Sequence, residues 1–251
     1  MAEGRRGSGR NAIDRLYYEQ ALGLAHRISN HFQIDKKHPL NLFAYTRVSH
    51  TNGRRLGDLL LFCATATELV ILFLLIPTFG IADWIYVSQH LLVLGIALTR
   101  PNPTVRDYSV GSSMAVIVAY AYPYAQVICL RASPGYVAWS EGGLVLITFA
   151  AGLSLVTLLT LGRWFGVRPA LRGLATRGPY RIVRHPMYLS YILADIGYNL
   201  QEWNFVTLLL VLTGWASLVY RLYAEERVLH QHAEWPAYAA LVRYRLFPCL
   251  W

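Results

Sequence analysis

An all-α, polytopic membrane bundle is the fold class this sequence predicts, and three observations predict it. The chain of 251 residues is 55% hydrophobic and only 15% charged, where a soluble domain carries about a quarter charged residues. Its apolar residues gather into runs long enough to cross the ~30 Å hydrocarbon layer as helices. Its basic residues alternate between successive loops, as they do when a chain threads a membrane back and forth.

The elements follow in order. Residues 1–56 are polar and basic, without the short apolar core and cleavage site of a secretory signal. The opening "MAEGRRGSGR" has the composition of a disordered segment. Beyond it, Ile13, Leu16, Tyr17, Ala21, Leu24 and Ile28 recur at helical spacing, with Arg15, Glu19 and Arg27 off that face. This pattern predicts an amphipathic helix on the cytoplasmic membrane surface or against the rest of the protein. Apolar runs follow at 57–79, 81–99, 110–130 and 142–162, then a pair at 187–200 and 205–222 separated by "QEWN". That makes about six membrane segments, the last two forming a C-terminal helical hairpin. The run 187–200 is too short to span fully, so it is expected to be tilted or partly buried within the bundle. "RPNPTVRD" at 100–107 reads as a turn-rich loop, and Pro77 and Pro123 as possible kinks. The tail from Ala224, with its charges and aromatics, reads as a cytoplasmic helix and cap lying on the membrane domain. Three regions result: 1–56, the N-terminal membrane helices 57–141, and a C-terminal membrane domain 142–251.

The net charge of +9 is an orientation signal rather than a nucleic-acid footprint. Arg47, Arg54, Arg55, Arg100, Arg106, the 163–184 loop, Arg227, Arg243 and Arg245 fall on one side, while Asp83, Arg131, Glu141 and Glu202 mark the other. Both termini are therefore expected in the cytoplasm, with some affinity for anionic lipid. The three cysteines have no metal-ligand spacing, and no metal site is expected.

The densest chemistry lies in "GPYRIVRHPMYLSYI", 178–192. Pro186 suits the first turn of a helix. Such a helix start offers free N–H groups and a partial positive charge to an anion, and Arg181, Arg184 and His185 add to it. If the hairpin folds back, Glu225 and Glu226 arrive at the same face and favour a cation or hydroxyls. S-adenosylmethionine, with its carboxylate, ammonium, ribose and sulfonium, fits both halves. A dinucleotide or a lipid head group fits the spacing as well.

"GPYRIVRHPMY", the hairpin, "EER" at 225–227 and "YAALVRYRLFP" in the tail occur in one order. Together they resemble the isoprenylcysteine carboxyl methyltransferase family, related to the phospholipid methyltransferases, over roughly 142–251. The resemblance implies an S-adenosylmethionine-dependent methyltransferase with its cofactor at the cytoplasmic side of membrane helices. It implies a cofactor set of Arg184, His185, Pro186, Tyr188, Glu225 and Glu226, closed over by Tyr180, Tyr238, Tyr244 and Arg245. Many family members have glycine where this chain has Ser190. Arg184, Asp195 and Arg221 are the candidates for a direct catalytic part. The expected acceptor is hydrophobic or lipidic: a prenylcysteine-like carboxylate, a phospholipid amine, or a thiol compound.

Two other classes compete: an NADPH-dependent membrane reductase, since sterol reductases share a related architecture, and a non-catalytic lipid-binding or transport protein. Ionisable residues at membrane depth bear on both. Glu68 and His90 lie near the middles of the first two runs and are expected to reach similar depth and pair. Asp195 is expected to orient an acceptor or to hold the hairpin through Arg221. Arg221 and Glu225, four apart on one helix, are also placed for an ion pair. His230 and His232 read as surface residues.

Overall fold

The computed structural model describes residues 45–47, 53–75, 80–107, 109–133 and 135–248. The expected disorder of 1–10, the amphipathic helix at 13–28, Pro77 and Cys249 lie outside the described residues. Among those described, the chain is mostly helical, with seven α-helices: α1 (Gly53–Leu75), α2 (Ile81–Thr99), α3 (Val110–Ala132), α4 (Ser140–Leu161), α5 (Pro186–Gln201), α6 (Phe205–Leu229) and α7 (Trp235–Leu241). Of the six expected membrane segments, three coincide with helices that are long and apolar enough to cross a bilayer: α3, α4 with its 3-10 extension to Trp164, and α6.

Their outer faces account for that reading. Val127, Ile128, Val145, Phe149, Val156, Leu159, Leu209 and Leu212 all stand exposed. In water so much exposed apolar surface is an aggregation liability; in a bilayer it meets hydrocarbon.

One element was not anticipated. The loop 100–107 is only partly turn, because Val105–Asp107 forms a strand, β2, in a small antiparallel sheet between β1 (Tyr45–Arg47) and β3 (Ala170–Leu171). The residues 170–171 and 105–107 are too few to register as strands by alternation. The sheet ties the 162–177 loop to the start of α3. Fully buried Asp107 accepts hydrogen bonds from the Ser109 amide and the Ser112 hydroxyl, and Ser109 in turn caps α3 through the Ser112 amide.

Helix α5 is the short, buried element around which the site is built. Its 16 residues rise about 24 Å, and Pro186, Met187, Tyr188, Ser190, Ile192, Asp195 and Gly197 are all buried. It packs on α4 through two glycines. A Cβ on Gly143 would lie 2.6 Å from the Gly197 carbonyl oxygen, and one on Gly197 would lie 2.9 Å from that of Gly143. Small residues that let backbones approach closely are the usual means of packing helices in lipid. At the far end of α5, Glu202 accepts from the Gly135 amide, Tyr136 and Trp203 pair their backbones, and Asn204 caps α6 with Thr207. These bonds fix the turn that sends the chain back along α6.

Two of the polar ties between helices bear on the sequence reading. Glu68 and His90 do pair, Oε2 to Nε2 at 2.8 Å, joining α1 to α2. Asp195 does not pair with Arg221. Its carboxylate accepts from the Tyr122 hydroxyl at 3.1 and 3.0 Å and from the Trp215 indole at 2.9 Å, which joins α3, α5 and α6. Aromatic donors are weak sequence signals, because a tyrosine or tryptophan in an apolar run reads first as packing.

Candidate active site

Pro186 occupies the first position of α5, with His185 as its N-cap. A proline there loses no hydrogen bond, and the preceding "GPYR" forms a 3-10 turn at Gly178–Arg181. Gly178 holds φ +55, a left-handed conformation that a residue with a side chain rarely adopts. The turn directs Arg184 and His185 against the tail. Their amides donate to the carbonyls of Tyr244 and Arg245, both at 2.9 Å.

Glu226, near the end of α6, is the centre of charge. Its Oε1 accepts from Arg184 Nη1 at 2.8 Å and faces His185 Nε2 at 3.4 Å, while Oε2 accepts from Arg245 Nε at 3.0 Å. The His185 and Glu226 side chains keep 4% and 7% of their exposure. Removing one member of so buried a cluster strands the others. Arg184 also donates from Nε to the Val242 carbonyl and from Nη2 to that of Arg243, at 2.9 and 2.8 Å. Three of its nitrogens are thus engaged, and its evident work is to hold the tail against α5 and α6.

Glu225, the adjacent residue, has a different partner. Its Oε2 accepts from the Tyr188 hydroxyl at 2.8 Å. The Tyr188 ring stacks on the His185 ring, centroids 5.6 Å apart and planes 14° from parallel. Above this pair, Tyr238 donates to the Tyr180 carbonyl at 2.9 Å. Burial, with the nearby Glu225 carboxylate adding to it, pushes the Tyr180 phenol well above its ordinary range. Burial also raises the Tyr238 phenol, so both act as neutral hydroxyls. Burial pushes the His230 imidazole down; the Arg184 charge lowers it further, and Glu226 opposes both.

The expected cofactor residues Tyr180, Arg184, His185, Pro186, Tyr188, Glu225, Glu226, Tyr238, Tyr244 and Arg245 thus lie at one end of α5 and α6, linked directly or through the tail backbone. Ser190, buried at 1% exposure, turns its hydroxyl to the Met187 carbonyl at 2.7 Å, so its polar group is spent within its own helix. Asp195 is not in this cluster. It lies ten residues from His185, about 15 Å along α5. Arg221 borders the cluster, with its guanidinium 5.4 Å from the Tyr188 ring centroid. The expected ion pair with Glu225 does not form; Arg221 Nη2 donates instead to the Val167 carbonyl at 3.1 Å. The 162–177 loop folds over α6 and competes for the guanidinium, which helical spacing does not reveal.

Sequence reasoning missed Trp235. It is 2% exposed and packs with Leu174, Tyr238 and Val242, with the Arg184 guanidinium 6.0 Å from its ring. "EWPAY" offered a signal, a tryptophan one residue before proline at a helix start.

Residues 140–232 match the family model described as phospholipid methyltransferase. This belongs to the membrane methyltransferase group that also contains isoprenylcysteine carboxyl methyltransferase-like proteins, so the resemblance read from the motifs holds over that stretch. The match includes His185, Tyr188, Glu225 and Glu226, and stops short of Tyr238, Tyr244 and Arg245. No curated protein matches the chain.

Proposed function

We propose that this protein is an integral membrane methyltransferase that uses S-adenosylmethionine and methylates a hydrophobic or lipidic acceptor at the cytoplasmic edge of the bilayer. The observation that carries the reading is the meeting of the α5 entry with the α6 exit: His185 stacks on Tyr188, Tyr188 bonds Glu225, and His185 faces Glu226. The donor set suits the cofactor. Glu225 keeps one carboxylate oxygen without a hydrogen bond among the described residues, suited to hydroxyls or an ammonium. The first-turn amides of α5 suit a carboxylate. The stacked His185 and Tyr188 rings offer a flat face to a nucleobase.

Bound there, the cofactor supplies an electrophilic methyl on a sulfonium, transferred by direct displacement. This chain's residues bind, orient and exclude water. Glu226 fixes His185 and, with Arg184 and Arg245, closes the tail over the pocket. Arg184 is a positioning residue in this scheme, and Asp195 is a structural tie. The acceptor class extends from a carboxylate through a phospholipid amine to a thiol; an ammonium or thiol must first lose a proton. Around the site we place six membrane segments, α1 to α6, with α5 and α6 as a hairpin and both termini in the cytoplasm, on the alternation of basic loops.

The test is titration of the purified protein with S-adenosylhomocysteine, with NADPH as the comparison ligand. S-adenosylhomocysteine should stabilise the protein and NADPH should not. His185→Ala and Glu226→Ala should each weaken binding about tenfold or more, by loss of charge-assisted contacts. Unchanged affinity in both variants removes the site assignment, and stabilisation by NADPH alone replaces the methyltransferase with a reductase. Incorporation of labelled methyl only into water-soluble products counts against a lipidic acceptor.

A further inference from the structure

The cytoplasmic end of α4 carries three arginines that no acidic side chain neutralises among the described residues. Arg163 lies in the 3-10 extension of α4, while Arg177 and Arg181 bound the Gly178–Arg181 turn. All three are exposed. Arg163 Nε donates to the Thr99 carbonyl at 2.9 Å, which leaves its two terminal nitrogens to face outward. The Arg177 and Arg181 side chains hold no hydrogen bond, and none of the three meets a carboxylate, among the described residues.

Their place in the fold gives them a partner. Phe149, Val156 and Leu159 stand exposed along α4, at the spacing that keeps side chains on one face of a helix. They form a stripe that meets hydrocarbon, and Arg163 follows one turn beyond Leu159, where the apolar run ends. The turn lies against the same end of α4: a Cβ on Gly178 would lie 3.0 Å from the Thr160 hydroxyl, and Arg177 immediately precedes that glycine. Trp164 and Ile182, both exposed, complete the rim. An exposed, unpaired arginine is ordinary on a surface in water. Three of them with a tryptophan and an isoleucine, at the end of a lipid-facing stripe, have the make-up of a phosphate seat at head-group level.

We propose that this rim binds an anionic phospholipid: an acyl chain lies along the α4 stripe, and Arg163, Arg177 and Arg181 hold the phosphate, whose oxygens match the planar guanidinium. The lipid sits on the outside of the bundle and is not the methyl acceptor. The turn joins it to the candidate active site, because the same turn holds Tyr180, whose carbonyl accepts from Tyr238. The lipid site stands independently of the methyltransferase reading.

The test is native mass spectrometry of the full-length protein in a neutral detergent, titrated with phosphatidylglycerol, phosphatidylcholine of the same chains, and glycerol 1-phosphate. Phosphatidylglycerol should bind about 10- to 100-fold more tightly than phosphatidylcholine, the range that two or three arginines supply at head-group level. Glycerol 1-phosphate, which lacks the chains, should bind at least about tenfold more weakly than phosphatidylglycerol. Arg177→Gln with Arg181→Gln should cut the preference for phosphatidylglycerol about fivefold or more, and adding Arg163→Gln should remove it. Arg131→Gln with Arg243→Gln makes the same change in charge as the first pair at exposed positions elsewhere, and should leave the preference within about twofold. Equal affinity for the two lipids in the parent, a preference that survives the triple replacement, or an equal loss in the control pair overturns the proposal. So does glycerol 1-phosphate binding as tightly as phosphatidylglycerol, since the arginines would then take free phosphate and the α4 stripe no chain.

Discussion

Replacing Glu226 with glutamine should undock the tail without unfolding the bundle. Glu226→Gln keeps the volume and removes the charge that Arg184, His185 and Arg245 share. The magnitude follows from exposure. The Arg184 and Glu226 side chains are 13% and 7% exposed, so breaking that pair leaves a largely buried cation, at a cost of about 3 kcal/mol or more. Arg245 is 29% exposed, and its share is that of a surface pair, under about 1 kcal/mol. The sum, about 3–4 kcal/mol, is roughly a hundredfold or more in the docking equilibrium.

Hydrogen exchange reads that equilibrium at two addresses. The Arg184 and His185 amides donate to Tyr244 and Arg245, so they are protected only while the tail lies in place. In Glu226→Gln both should exchange about a hundred times faster, whereas amides inside α4, such as that of Ile147, should keep their parental rates. S-adenosylhomocysteine should slow them again if the pocket includes the tail. Parental exchange at Arg184 and His185 in the variant would refute the reasoning, because Glu226 would then not be what holds the tail.

Tyr188→Phe removes one bond to Glu225 and should reduce S-adenosylhomocysteine affinity about three- to tenfold in a titration, with little change in melting temperature. Asp195→Asn weakens the tie to Tyr122 and Trp215; it should cost about 1–2 kcal/mol of stability while cofactor affinity stays within twofold. Gly143→Val would drive a side chain into the Gly197 carbonyl, and the loss of folded protein on size-exclusion chromatography should exceed that from Gly152→Val, where a Cβ meets nothing within 4 Å. His230 has a lowered pKa when folded, so the unfolded chain binds its proton more readily. Its contribution is fully present above the ordinary imidazole range, near pH 6.5, and is lost as the pH falls through the folded value. Thermal scans should show that acid-side loss reduced in His230→Asn.

What could be read in advance divides along a physical line. The bundle was legible because membrane helices advertise themselves by composition: the runs 110–130, 142–162 and 205–222 fall within α3, α4 with its extension, and α6. The association of His185 with Glu226 was legible because an apolar run out and an apolar run back return the chain to its starting face. The Glu68–His90 pair was legible because two ionisable residues at one depth in lipid seek each other. Geometry decided what polarity and spacing left open. The partners of Asp195 are an indole and a phenol inside apolar runs, and Arg221 turned from Glu225, four residues away on its own helix, to a carbonyl in a distant loop. The sheet of β1, β2 and β3 was invisible because its strands are two or three residues long.

The same line runs through the site. The matched stretch 140–232 contains the residues that meet across α5 and α6, but three contacts that hold the tail to them, from Arg245 to Glu226 and from Arg184 to Val242 and Arg243, lie outside it. A chain ending at residue 232 would keep the Tyr188–Glu225 bond and lose those contacts, leaving Glu226 with two partners in place of three and the Arg184 guanidinium with one hydrogen-bond partner in place of three. The two sets of contacts are therefore separable: the meeting of Tyr188 with Glu225 belongs to the helical entry and exit, and the docking of the tail to a cluster centred on one glutamate.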